Sequence, residues 1–90
     1  MRYQRHFRMC IEGVQCDADF EFTYQVRRFG GSRIPIVTDT HKILADGVRE
    51  SAPYFWLLLP VQLHDQLDLE MVYWNDRAVE AGAVAVERAI

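Results

Sequence analysis

The stretch "DFEFTYQVRR", residues 19–28, decides the fold class. Phe20, Phe22, Tyr24 and Val26 alternate with Glu21, Thr23, Gln25 and Arg27. Aromatic and β-branched residues in strict alternation give an extended chain one apolar face and one polar face, the pattern of a half-buried strand. The residues upstream alternate as well. Tyr3, Phe7, Met9 and Ile11 share one parity, and Gln4, His6, Arg8 and Cys10 share the other. Arg5 breaks the apolar parity, which places it near a sheet end. The two strands predict a hairpin over residues 3–28, with a loop around 13–17, where the polar run 15–19 interrupts the alternation. Gly30 and Gly31 end the second strand, because glycine reaches conformations that other residues avoid.

Downstream the pattern weakens. "RIPIV" (33–37) reads as extended, and Pro35, which has no N–H for a ladder, belongs at an edge. "TDTH" (38–41) reads as a turn. "KILADGV" (42–48) reads as a strand near 42–46 closed by the turn dipeptide Asp46-Gly47. After Ser51 the period changes. Ser51 is a candidate N-cap, with Pro53 in a first turn. A short helical turn over 54–59 follows, and Pro60 opens a second helix. Leu63, Leu67, Met71 and Trp74 recur at helical spacing. Asn75 or Asp76 reads as the cap of a third helix with Val79, Ala83, Val86 and Ile90 as its stripe; the last two helices are alternatively one bent helix. The expected architecture is α+β: one domain over residues 1–90, a three- to four-stranded antiparallel sheet, then two or three helices packed on one face.

Half of the 90 residues are hydrophobic and 12% are aromatic, enough for a core and too much for a disordered chain. The core is small at this length, so association with a partner or a second copy is favourable. Residues 1–33 carry six Arg against four acids, giving +2, and residues 34–90 carry four bases against nine acids, giving −5. Two cysteines, Cys10 and Cys16, are too few for a disulfide-stapled secreted domain. The start of the chain lacks the apolar core of a signal peptide, and the longest apolar run is short for a membrane span. A cytoplasmic location and no membrane partner are therefore expected.

Candidate chemistry is sparse. Cys10, Cys16 and His6, with His41 or His64, match no standard zinc spacing. A Cys–His–Asp arrangement from Cys10 or Cys16 with His41 and Asp39 lacks any nucleophile elbow or oxyanion loop. No catalytic residue, metal or cofactor is assigned. Asp65, Asp68 and Glu70 crowd one helix and read as a solvated acidic face or a contact for a basic partner. Arg2, Arg5 and Arg8, joined by Arg27 and Arg28 if the hairpin pairs in register, make a basic edge suited to a carboxylate-rich partner or to phosphates. Nucleic acid is disfavoured, since the aromatic face of residues 20–26 is wholly apolar and reads as core.

The run "YFWLLL" (54–59) stands apart. Six consecutive apolar residues on one helical turn point in every direction, so at least one of Tyr54, Phe55 and Trp56 is expected at the surface, where aromatics anchor interfaces. The stretch "IEGVQCDADFEFTYQV", then "ILADGV", then "WLLLP" entering a helix, resembles a pattern in small phage and prophage accessory proteins over residues 11–69. That resemblance implies a small accessory protein that binds and blocks a protein of its bacterial host, in the manner of anti-defence inhibitors such as anti-CRISPR proteins. The C-terminal "NDRAVEAGAVAVERAI" departs from it. The expected function is thus a non-catalytic binding protein anchored by Tyr54, Phe55 and Trp56 and steered by Arg2, Arg5 and Arg8 or by Asp65, Asp68 and Glu70. A homodimeric or larger assembly protein is the alternative, and a nucleic-acid contact the third.

Overall fold

The computed structural model describes residues 1–82 and 88–89. Its elements are β1 (Arg2–Ile11), β2 (Val14–Phe29), β3 (Ser32–Ile43), β4 (Arg49–Ser51), α1 (Phe55–Leu58), α2 (Val61–Glu80) and β5 (Arg88–Ala89). The first four strands form an antiparallel sheet in sequence order, and β5 pairs in parallel with β2 at Arg27 and Arg28. The fold is α+β, a sheet followed by helices on one face.

The first hairpin is tighter than expected. Ile11 pairs with Val14 across a two-residue turn, Glu12-Gly13, with φ of 50° and 77°. Positive φ at both central positions matches the right-handed twist of the flanking strands, so β2 starts at once and residues 15–19 lie within it. Gln15, Asp17 and Asp19 take the uncovered sheet face, and Cys16 and Ala18 pack toward the core. The second turn, Gly30-Gly31, joins Phe29 to Ser32 with positive φ at its first glycine.

The predicted turn at "TDTH" lies inside β3, which runs unbroken through Pro35 to Ile43. A register shift opposite Thr23 and Tyr24 leaves Thr38 as a bulge that absorbs the irregularity. The strand expected near 42–46 divides: residues 42–43 end β3, and β4 returns at 49–51 after the Asp46-Gly47 turn. There Gly47 N–H donates to Leu44 C=O (2.8 Å) and Val48 N–H to Asp46 Oδ1 (3.1 Å). Ser51 closes β4 rather than capping a helix, and α1 begins after Tyr54 without a side-chain cap.

Of the two alternatives for residues 61 onward, one continuous helix is found: α2 runs through Asn75 and Asp76 to Glu80, and no separate helix starts there. Asn75 is buried on the step that follows Leu67 and Met71, and Asp76 pairs with Arg33 on β3. Both side chains are engaged in tertiary contacts, and no proline or glycine interrupts the turn. Trp74, expected in the apolar stripe, is half exposed. The predicted stripe positions 83, 86 and 90 lie outside the described residues.

The core sits between one sheet face and the two helices. Phe7, Phe20, Phe22, Tyr24, Val26, Leu59, Leu67 and Met71 are buried in it. Phe55 stacks on Phe20 with centroids 3.5 Å apart and meets Phe7 edge-on at 5.1 Å. Trp56 meets Phe22 edge-on at 5.1 Å and stacks on His64 at 4.5 Å. Such aromatic pairs add roughly 0.5–1.5 kcal/mol each beyond area burial. Tyr24 is fully buried; its hydroxyl donates to Met71 C=O (2.8 Å), and burial pushes its pKa up to about 12.

Candidate docking site

The site residues expected from sequence fall in three places. Of the aromatics, Tyr54 is 71% exposed, whereas Phe55 and Trp56 are half-buried members of the core. Leu57 and Val61, each 71% exposed, and Leu58 complete an apolar corner where α1 meets α2. These positions follow Tyr54 at i+3, i+4 and i+7, and α1 is only four residues long. One helical turn of continuous apolar residues can bury only the side that faces the sheet, here Phe55, Trp56 and Leu59. The leucines were missed because aromatic size drew the reading; the unbroken run itself carried the signal.

Arg2, Arg5 and Arg8 share β1 but not one face. The register pairs Arg2 with Thr23 and Arg8 with Asp17 on the uncovered face, and Arg5 with Phe20 on the core face. Arg5 therefore does not mark a sheet end: it keeps the apolar parity, and its charge meets Glu70 from α2 at 3.5 Å. The Tyr3 hydroxyl donates to the same carboxylate. Burial first, then that hydrogen bond and the negative charge of Glu70, push the Tyr3 pKa up to about 12. Glu70 thus ties β1 to the helix. Asp65 and Asp68 lie on the opposite flank of α2 and share a groove with Ile34, Pro35, Leu69 and Val72. Burial holds Asp68 above its ordinary carboxylate range.

The uncovered sheet face is polar. His6 contacts Asp19 through Nδ1 (2.9 Å) and Asp17 through Nε2 (2.5 Å). Both ring nitrogens donate only in the protonated ring, so the two carboxylates raise the His6 pKa. Arg49 on β4 binds Glu21 on β2 in a fork, with 3.1 and 3.2 Å contacts. Glu21 is buried beneath it. On this face His6 and Arg49 are held by ion pairs, and Arg2 and Arg8 stand outside them.

The chemical alternatives are not assembled. Cys10 pairs with Gln15 on the uncovered face, while Cys16 pairs with Met9 on the core face, so the two thiols point to opposite sides of the sheet. His41 lies 3.8 Å from Asp39, but it pairs with Glu21, five positions along β2 from Cys16. Five strand residues span about 17 Å, too far for nucleophile and base to meet. Among the described residues, no three His, Cys, Asp or Glu gather as metal ligands. No helix among the described residues is long and apolar enough to cross a membrane.

The sheet edges differ in finish. Met1 and Tyr24 exchange hydrogen bonds, Tyr24 N–H to Met1 C=O (2.9 Å) and the Met1 amino group to Tyr24 C=O (3.1 Å). Pairing continues without a shift to Ile11, so odd residues of β1 bond to β2 and even residues direct N–H and C=O outward. Among the described residues, β1 pairs with β2 alone. Beside this edge a groove of about 490 Å³ runs between β1 and α2, lined by Arg5, Phe7, Met9, Gln62, Leu63 and Gln66 among others. No protein-family model, curated protein or solved structure matches this chain.

Proposed function

We propose that this chain is a small non-catalytic binding protein, phage- or prophage-encoded, that docks on a protein of its bacterial host and modulates or inhibits it. The observation that supports this reading is the apolar corner of Tyr54, Leu57, Leu58 and Val61. Soluble monomers seldom leave neighbouring large apolar side chains in water without a use for them. In a 90-residue chain with a small core, leaving these outside forgoes stability that burial would supply. Tyr54 suits the role of anchor, since a tyrosine offers large contact area at low entropic cost.

The test is retention of a host protein from bacterial lysate by the tagged chain, against the triple variant Tyr54→Ser, Leu57→Ser, Val61→Ser. Phe55 and Trp56 stay intact because their rings hold the core. Retention by the parent chain and loss by a variant of equal melting temperature is expected. Equal retention by both, or recovery of the chain alone with a doubled mass in light scattering, would overturn the reading in favour of self-assembly.

A further inference from the structure

We infer that the free edge of β1, with the groove between it and α2, is a strand-addition site for an extended, acidic segment of a partner protein. The inference builds on the binding-protein reading and names the partner chemistry. Its first support is the backbone. Arg2, Gln4, His6, Arg8 and Cys10 turn unpaired N–H and C=O groups outward along one ten-residue strand, about 33 Å of ladder with no proline and no bulge. An extended segment laid there gains main-chain hydrogen bonds at every second residue, and the side groove receives its alternate side chains.

The second support is charge. β1 carries Arg2, Arg5 and Arg8 and no acid. Arg2 and Arg8 make no ion pair among the described residues, whereas Arg5 is engaged with Glu70. A second copy of the strand in this position would bring four arginines, Arg2 and Arg8 of each strand, onto one face with no acid from either strand, which is unfavourable for neighbouring strands. A strand with carboxylates opposite Arg2 and Arg8 is complementary, while His6 between them already has Asp17 and Asp19. Its other face meets a mixed wall, Met9 and Leu63 between Arg5, Gln62 and Gln66, with room for short apolar side chains against Met9 and Leu63. The fitting segment alternates acidic and apolar residues over eight to ten positions, on the order of the β1 length.

The test uses the full ¹⁵N-labelled chain and three probes: a ten-residue peptide alternating Glu and Val, its Lys–Val counterpart, and a single-stranded oligonucleotide. With the Glu–Val peptide, the amides of Gln4, His6, Arg8 and Cys10 should exchange at least about tenfold more slowly, while those of Tyr3, Arg5 and Phe7, already bonded to β2, stay unchanged. The Lys–Val peptide should bind at least about tenfold more weakly, and Arg8→Glu or Arg2→Glu should invert that preference. No protection of the even amides, equal binding of both peptides, or protection by the oligonucleotide alone would overturn the inference. The corner variant at Tyr54, Leu57 and Val61 should bind the peptide unchanged. Loss of the host protein in that variant with no protection at β1 would refute the edge site and leave the binding reading standing. Protection at β1 with no host protein retained would do the reverse.

Discussion

The two long edges of the sheet are built from the same kind of strand and finished in opposite ways. On β3, Thr40 C=O accepts from Ala52 N–H (2.9 Å), so Thr40 faces outward, and its own N–H is taken by Asp39 Oδ1 (3.0 Å). β4 covers residues 41–43, and Thr38 bulges. Tyr24 directs its bonds to Met1, so its β3 partner Val37, and Pro35 two residues before it, face away from β2. The missing N–H of Pro35 is therefore missing on the solvent side. Proline, bulge, side-chain cap and a short covering strand are four ways of making an edge unfit for pairing. On β1 there is no proline, bulge or covering strand among the described residues, only the charge of Arg2 and Arg8, and the ladder is open to the acidic strand proposed above. The difference teaches that β3's edge is obstructed in its backbone, whereas β1's is marked only by its charge.

The sharpest way to break this contrast is a pair of prolines one residue apart. Arg5→Pro removes an N–H directed at β2 and leaves the partner carbonyl without its donor, at a cost of about 3 kcal/mol once the ring clash is added. Gln4→Pro removes an outward N–H and should cost less than about 1 kcal/mol. Chemical denaturation of both variants, with Arg5→Ala to subtract the Glu70 contact, measures the gap. Equal destabilisation would show that β1 is not an edge.

A smaller effect is expected at the protected edge. Pro35→Ala restores an outward N–H beside exposed Ile34 and Ile36. Stability should change by less than about 1 kcal/mol, through the unfolded chain, while concentration-dependent association rises in light scattering. Unchanged monomer mass at high concentration would remove Pro35 from the protection.

The smallest effect lies on the polar face behind β1. Hydrogen bonds to Asp19 and Asp17 raise the His6 pKa above its ordinary 6.5. A raised histidine pKa stabilises the folded state fully below that ordinary value, and the contribution is lost as pH rises through the folded value. Thermal stability should thus fall slightly over the window that starts near pH 6.5 and extends upward, and Asp19→Asn should flatten it. An NMR titration of the His6 ring that gives an ordinary value would dissolve the pairing.

What was legible in the sequence follows from local causes. The alternation of residues 20–26 fixed a strand, the change of period after Ser51 fixed the order sheet then helix, and the run 54–59 foretold a surface aromatic, Tyr54. What was misread depended on partners distant in the chain. Asp17 and Asp19 look like loop residues until His6 stands beside them, and "TDTH" looks like a turn until β2 pairs with it. Arg5 looks like an error of parity until Glu70 arrives 65 positions later. Asn75 and Asp76 look like caps until one is buried and the other meets Arg33. The apolar corner was half legible: the run predicted exposure, but only packing decides that Leu57 and Val61 are outside and Phe55 and Trp56 inside. Which strand is an edge is a property of topology, and Pro35 and the arginines of residues 2–8 are its local signs.

The most direct measurement is amide hydrogen exchange of the isolated chain, residue by residue along β1, at two protein concentrations. The account predicts an alternation: Tyr3, Arg5, Phe7 and Met9 protected by β2, and Gln4, His6, Arg8 and Cys10 exchanging fast at both concentrations. Protection of both parities, or protection of the even residues that grows with concentration, would mean that this edge is already covered, and would contradict the claim that β1 is held open for an acidic strand.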